Sequence, residues 1–286
     1  KTMRRIWAHA ALSFTATLAR TCARNRVAGL WWPSWWKPRA CCNSATERFS
    51  NGLANSSDQV GRNYMRHVMG MVFGVMPGEV NWYKGTTCAG VIRDEIKHDT
   101  SRGFSGGFQY HLLALGPEYI ATNLVPNGWG KDYADLLLDY DKLSGVIITG
   151  EAPPQQSNRI TLHATEKDQH GLPVPIVSYN KHPNTEAMLQ YAYGRARSMY
   201  EALGATRTFT HEGFGATHNM GVCRMGAEPA TRGCNSFGQT HDIPNLFVSD
   251  GSLFTTSGSA NPTLTIISLM LRQADYLAGE LGSGAL

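Results

Sequence analysis

The sequence predicts a mixed α/β chain of the α+β kind, an antiparallel sheet with helices packed on it, and three observations carry that prediction. Strand-like apolar runs or alternation occur at 71–75, 144–149, 159–163 and 175–179. Gly and Pro turns such as Gly171-Leu172-Pro173 separate them, and such turns suit strands that reverse direction. Residues 184–203 then place Leu189, Tyr193, Ala196, Tyr200 and Leu203 at helical spacing, with Asn184 as the expected cap and Gly204 as the stop.

Taken in chain order, the first 42 residues read as an atypical segment. Trp7, Trp31, Trp32, Trp35 and Trp36 are five of the seven tryptophans, and no helical or strand period organises them. Residues 6–18 follow Arg4 and Arg5 like a short targeting segment. They include His9, Ser13, Thr15 and Thr17, however, lead to no clear cleavage site, and are too few to span a bilayer. A shifted reading frame joined to a true one would account for the segment, and a single uninterrupted upstream frame in the source DNA would refute that expectation. Near the other end, Leu246-Phe247-Val248 reads as a strand that stops at Asp250-Gly251, where a glycine lets backbone approach a ligand closely. Asn261 reads as an N-cap with Pro262 at the first helical position, opening a helix over 263–277.

Composition bounds the functional classes. With 286 residues, 42% hydrophobic and 17% charged, the chain can bury a substantial core in one or two domains. The net charge of +4 is concentrated in residues 1–46, which hold Lys1, Arg4, Arg5, Arg20, Arg24, Arg26, Lys37 and Arg39 and no acid. The rest is close to neutral, so nothing there asks for nucleic acid. The six cysteines show no Cys-x-x-Cys spacing, which argues against a zinc or disulfide framework, and no metal site is expected. His98, His111, His163, His170, His182, His211 and His241 lack ligand-like spacing and read as surface or structural residues. Gly103-Phe104-Ser105-Gly106-Gly107 spells a hydrolase nucleophile elbow but lacks the buried strand that must precede the Ser, so a serine hydrolase is the weak alternative.

Three blocks remain: His218-Asn219-Met220-Gly221-Val222-Cys223-Arg224-Met225-Gly226, then Asp250-Gly251-Ser252, then Asn261-Pro262-Thr263-Leu264-Thr265. In residue type, order and spacing they resemble the C-terminal signature of the glucose-methanol-choline (GMC) oxidoreductases. Val60-Gly61-Arg62-Asn63-Tyr64-Met65-Arg66-His67 is similar to another segment of that family, with Arg66 where an acid is usual. The resemblance implies a remnant of an FAD-binding domain at 43–74, a substrate domain at 75–206 whose sheet walls the substrate cavity, and a C-terminal flavin-site segment at 207–286. No Gly-x-Gly-x-x-Gly occurs, so the N-terminal dinucleotide-binding unit is missing and the chain looks like a C-terminal portion.

The resemblance also implies a reaction: oxidation of an alcohol CH–OH by hydride transfer to FAD. The partners it implies are a small-molecule alcohol and an electron acceptor of unspecified chemistry. An imidazole titrates near physiological pH, so His218 is the candidate base for the hydroxyl proton. The Asn261 amide takes no proton but can hydrogen-bond the substrate oxygen. Asp250 and Gly251 would contact the phosphate and ribityl region, and Asn261, Pro262 and Thr263 would bring a helix N-terminus to the flavin. The alternative is a truncated, flavin-free fragment without activity.

Overall fold

In the computed structural model the described residues are 28–30, 41–116, 130–212 and 218–286. The 6–18 run and the five N-terminal tryptophans lie outside them. The centre is a five-stranded sheet in the order β3 (Cys88–Ile92), β4 (Phe108–Leu113), β5 (Leu143–Gly150), β2 (Val68–Val75), β8 (Arg207–His211), every neighbouring pair antiparallel. β2 and β5 pair along their whole length, from Val68 opposite Gly150 to Val75 opposite Leu143. Both are buried on nearly every residue, which is why their sequences run apolar without clean alternation. The sheet thus crosses both the 74/75 and the 206/207 boundaries drawn from the sequence.

Helix α2 (Pro183–Ala202; α1 is Lys131–Leu138) lies across one face and buries Met188, Leu189, Ala192, Tyr193, Ala196 and Tyr200 against Val68, Val72, Phe108, Tyr110, Val146 and Ile148. Met71, Phe73, Val75, Leu143 and Ile147 point the other way, onto Trp82 and Leu136 of α1. The helix starts one residue earlier than the sequence indicates and its cap differs. His182 Nδ1 accepts from Asn184 N at 3.0 Å, because Pro183 at the first position moves the cap back. Asn184 instead clamps Ser105, accepting from its N at 2.7 Å and donating to its O at 2.9 Å. Leu203, expected on the buried stripe, is the C-cap and 60% exposed. Ser105 follows a 3-10 turn at Thr100–Arg102 rather than a strand, so it does not sit on a nucleophile elbow.

Two small pairings complete the frame. β6 (Arg159–Lys167) and β7 (Pro173–Ser178) form an antiparallel hairpin. β9 (Leu246–Val248) is fully buried and pairs in parallel with β1 (Ala28–Leu30), a three-residue strand too short to show a period of its own. Helix α3 (Thr263–Ser283) closes the described structure and extends past the expected 277. Among the described residues no helix is long and apolar enough to cross a membrane, and no group of three His, Cys, Asp or Glu side chains could hold a metal ion.

Candidate active site

Two of the three C-terminal blocks meet in space, and the third opens a helix whose first turns reach the same point. The backbone from Gly221 to Met225 runs beside the Asp250 turn, with Gly221 N donating to Gly251 O at 3.1 Å, Cys223 N to Ser252 O at 3.1 Å and Met225 N to Leu253 O at 3.0 Å. A Cβ on Gly251 would stand 3.4 Å from Asn219 O and 3.4 Å from Ile266 Cδ1, so this residue is the seam between the His218 segment and the first turns of α3. Residues 60–67 join from the other side: Gly61 N donates to Val222 O at 2.8 Å, and Met65 and Met220 exchange both backbone hydrogen bonds at 2.9 Å. Gly221 has to be glycine here, since a Cβ would stand 2.2 Å from Asn63 O and its φ is +80°.

His218 occupies a strained position, with φ +61°, and Val222 four residues on has φ +72°, a region that β-branched residues rarely visit. Such backbone persists only where the surroundings over-determine it, and it concentrates at functional turns. Tyr64 Oη donates to Asn219 Oδ1 and helps fix this turn.

A second histidine completes the site. His67, the residue before β2, is 1% exposed, and its Nδ1 lies 3.0 Å from His218 Nδ1. Its Nε2 lies 3.1 Å from Ser257 O. Ser257 is itself fixed, its Oγ accepting from Ala152 N at 2.7 Å just beyond β5. The pair therefore stands where the sheet meets the loop leading into α3. Burial pushes the His67 pKa down to about 4, offset in part by the Ser257 carbonyl and reinforced by His218 and His111. Burial also lowers His218. His111 on β4 is lowered by burial and then by His218, which places it in the same electrostatic neighbourhood. Phe108 and Tyr110 of β4 pack towards α2, so Gln109 and His111 face the opposite side of the sheet, their side chains 3.0 Å apart.

The remaining predicted residues are placed as follows. Asp250 Oδ1 accepts from Ser252 N at 2.8 Å and from Ser252 Oγ, capping the 3-10 turn at Gly251–Leu253. Asn261 is exposed and does not cap α3. The N-cap is Pro262, with no side-chain hydrogen bond, because Ile266 N reaches Pro262 O at 2.9 Å and the first turn begins one residue later than expected. Thr263 opens the helix and is exposed. Arg66, the departure from the family segment, lies over the Tyr179 ring at 4.3 Å, a contact that an acid could not make. Sequence reasoning missed His67, Gln109 and His111 as site residues. For His67 the signal was its place at the end of the family-like 60–67 segment. For the β4 pair there was none, since β4 itself was not anticipated.

Residues 154–269 match the family described as GMC oxidoreductase, in its C-terminal region. The chain is similar to 2-methyl-1,2-propanediol dehydrogenase of Mycolicibacterium austroafricanum, 36% identical over 84% of this chain and 46% of that protein. It is also similar to paromamine 6'-oxidase of Streptomyces fradiae, 35% identical over 82% of this chain and 42% of that protein. It therefore spans less than half the length of either relative. A crystal structure of pyridoxine 4-oxidase from Mesorbium loti shares the fold, with a TM-score of 0.50 at 13% identity over 76% of this chain and 43% of that one. Over residues 154–269 the chain thus resembles the C-terminal region of the GMC oxidoreductases.

Proposed function

We propose that this chain supplies the substrate side and catalytic base of an FAD-dependent enzyme that oxidises an alcohol CH–OH to a carbonyl. The observation that carries the reading is His218, an imidazole on a strained turn, paired to the buried His67 at 3.0 Å and lowered in pKa by burial. Such a group is neutral at physiological pH and ready to accept a proton. The relatives support the substrate class, since one is named for a diol and another as an oxidase of paromamine.

The residues present fit the ring end of a flavin. Helix α3 begins without a side-chain cap, which leaves its first N–H groups open to negative charge, and Gly251 holds the His218 segment against its first turns. They do not supply a pyrophosphate cradle, because no Gly-x-Gly-x-x-Gly turn occurs in the chain. When bound, FAD supplies the acceptor for the hydride leaving the alcohol carbon. His218 takes the hydroxyl proton as the C–H bond breaks. Asn261, exposed at the entrance to α3, donates its amide N–H to the substrate oxygen and orients it. His111, close enough to lower the His67 pKa, and Gln109 beside it face the substrate from the sheet, and Asp250, Gly251, Pro262 and Thr263 back the cofactor.

The test is stopped-flow reduction of flavin by a diol in the chain joined to the N-terminal half of a relative. His218→Ala should slow reduction by about 10²–10⁴-fold with flavin binding retained. Reduction at the parent rate would remove the base.

A further inference from the structure

The contacts of His67 assign the protons on both rings. The Ser257 carbonyl 3.1 Å from His67 Nε2 can only accept, so Nε2 carries the hydrogen. His67 is 1% exposed, and no carboxylate is among the groups that act on it, so the ring is neutral and its Nδ1 bears a lone pair. That lone pair faces His218 Nδ1 at 3.0 Å, and two lone pairs at this distance would repel. His218 Nδ1 must therefore donate.

We propose that His67 is a positioning residue that fixes His218 as its Nδ1–H tautomer and so leaves Nε2 as the nitrogen that accepts the substrate proton. The chain of donors runs from His218 Nδ1–H to His67 Nδ1 and from His67 Nε2–H to the Ser257 carbonyl. Ser257 is fixed in turn through Ala152 N, so the segment just beyond β5 orients the base through three hydrogen bonds. When His218 takes a proton on Nε2, the imidazolium keeps its Nδ1–H and donates more strongly to His67. The charge stays on His218, because His67 cannot pass a proton to a carbonyl. This assignment rests on the reading of His218 as base, but the tautomer can be observed without it.

The experiment is two-bond proton–nitrogen NMR of the 15N-histidine-labelled chain near pH 7.5, with His67 and His218 assigned by loss of signals in His67→Gln and His218→Ala. In the parent chain His218 should be protonated on Nδ1 and His67 on Nε2. His67→Gln retains a donor near the Nε2 position but no acceptor at Nδ1, and should move His218 towards the Nε2–H form. His67→Asn places an amide oxygen near the Nδ1 position and should restore the Nδ1–H form. In the flavin-loaded protein His67→Gln should lower kcat about 10–100-fold with KM unchanged, and His67→Asn should recover most of it. A parent His218 protonated on Nε2, or a tautomer unmoved in His67→Gln, overturns the proposal even if one variant fails to fold. Parent spectra as expected together with a His218→Ala variant of parental rate would sink the base reading alone.

Discussion

The Tyr193 ring rests directly on Gly70. A Cβ on Gly70 would stand 2.2 Å from Tyr193 Oη, and one on Gly74 would stand 2.5 Å from the Tyr200 ring. These two glycines of β2 lower the sheet surface under α2 and let both tyrosines be buried to 1–2% exposure. The first prediction follows: Gly70→Ala should destabilise the chain by about 1–3 kcal/mol, since overpacking forces Tyr193 off its rotamer or lifts the helix. Gly70→Ala with Tyr193→Phe, which removes the oxygen that clashes, should regain part of that loss in thermal melts. A variant Gly70→Ala as stable as the parent would mean that α2 does not pack this closely.

The role proposed for Asn261 can be tested apart from capping, since Pro262 is the N-cap of α3. Because it does not cap α3, Asn261→Ala should leave the melting temperature within about 1 °C of the parent, where loss of a true cap would cost on the order of 1 kcal/mol. Flavin reduction by alcohol should still slow. Equal losses of stability and rate would point to a cap after all.

Asp250 is the converse case. Its carboxylate caps the turn that keeps Gly251 against Asn219, so Asp250→Ala should cost about 0.5–2 kcal/mol in chemical denaturation. Asp250→Asn keeps an acceptor and should cost less. Identical losses in the two variants would show that charge, not the hydrogen bond, matters at this turn.

The buried His67 makes stability depend on pH. Its folded pKa of about 4 lies below the unfolded 6.5, so between those values the unfolded chain binds the extra proton and stability falls as pH drops. The groups facing it are His218 and His111, both also lowered, and they reinforce the sign. Between pH 6.5 and 4 the loss attributable to His67 should be on the order of 3 kcal/mol. Urea unfolding across this range should show the slope in the parent and a shallower one in His67→Asn. Parallel slopes would place the proton uptake elsewhere.

Leu264, Ile267 and Leu271 form an exposed apolar stripe along α3, at 76%, 50% and 64% exposure, while Gln273 is the one buried residue of that helix. The chain alone should bind FAD weakly, and adding the N-terminal half of a relative should strengthen binding by at least about tenfold. Tight stoichiometric binding by the chain alone would show that the His218, Asp250 and α3 segments suffice.

The sequence by itself determined the elements whose residues carry a strong local pattern. β2, β5 and β9 are continuous apolar runs, and α2 repeats its apolar face from Met188 to Tyr200, so burial and period were both visible in the order of residues. It also showed the blocks around His218, Asp250 and Asn261, whose residue types and order resemble those of the GMC family. Tertiary structure alone decided the rest. β3 and β8 are strands because they pair with β4 and β2, not because of their own composition, which is half exposed and mixed. The true caps were set by backbone geometry: Pro183 displaced the cap of α2 to His182, and Pro262 took that of α3. Above all, His67 and His218 are 151 positions apart, and no local period links them. They meet because β2 enters the sheet beside the loop that Ser257 ties to Ala152, a contact between distant segments that only the folded chain can make.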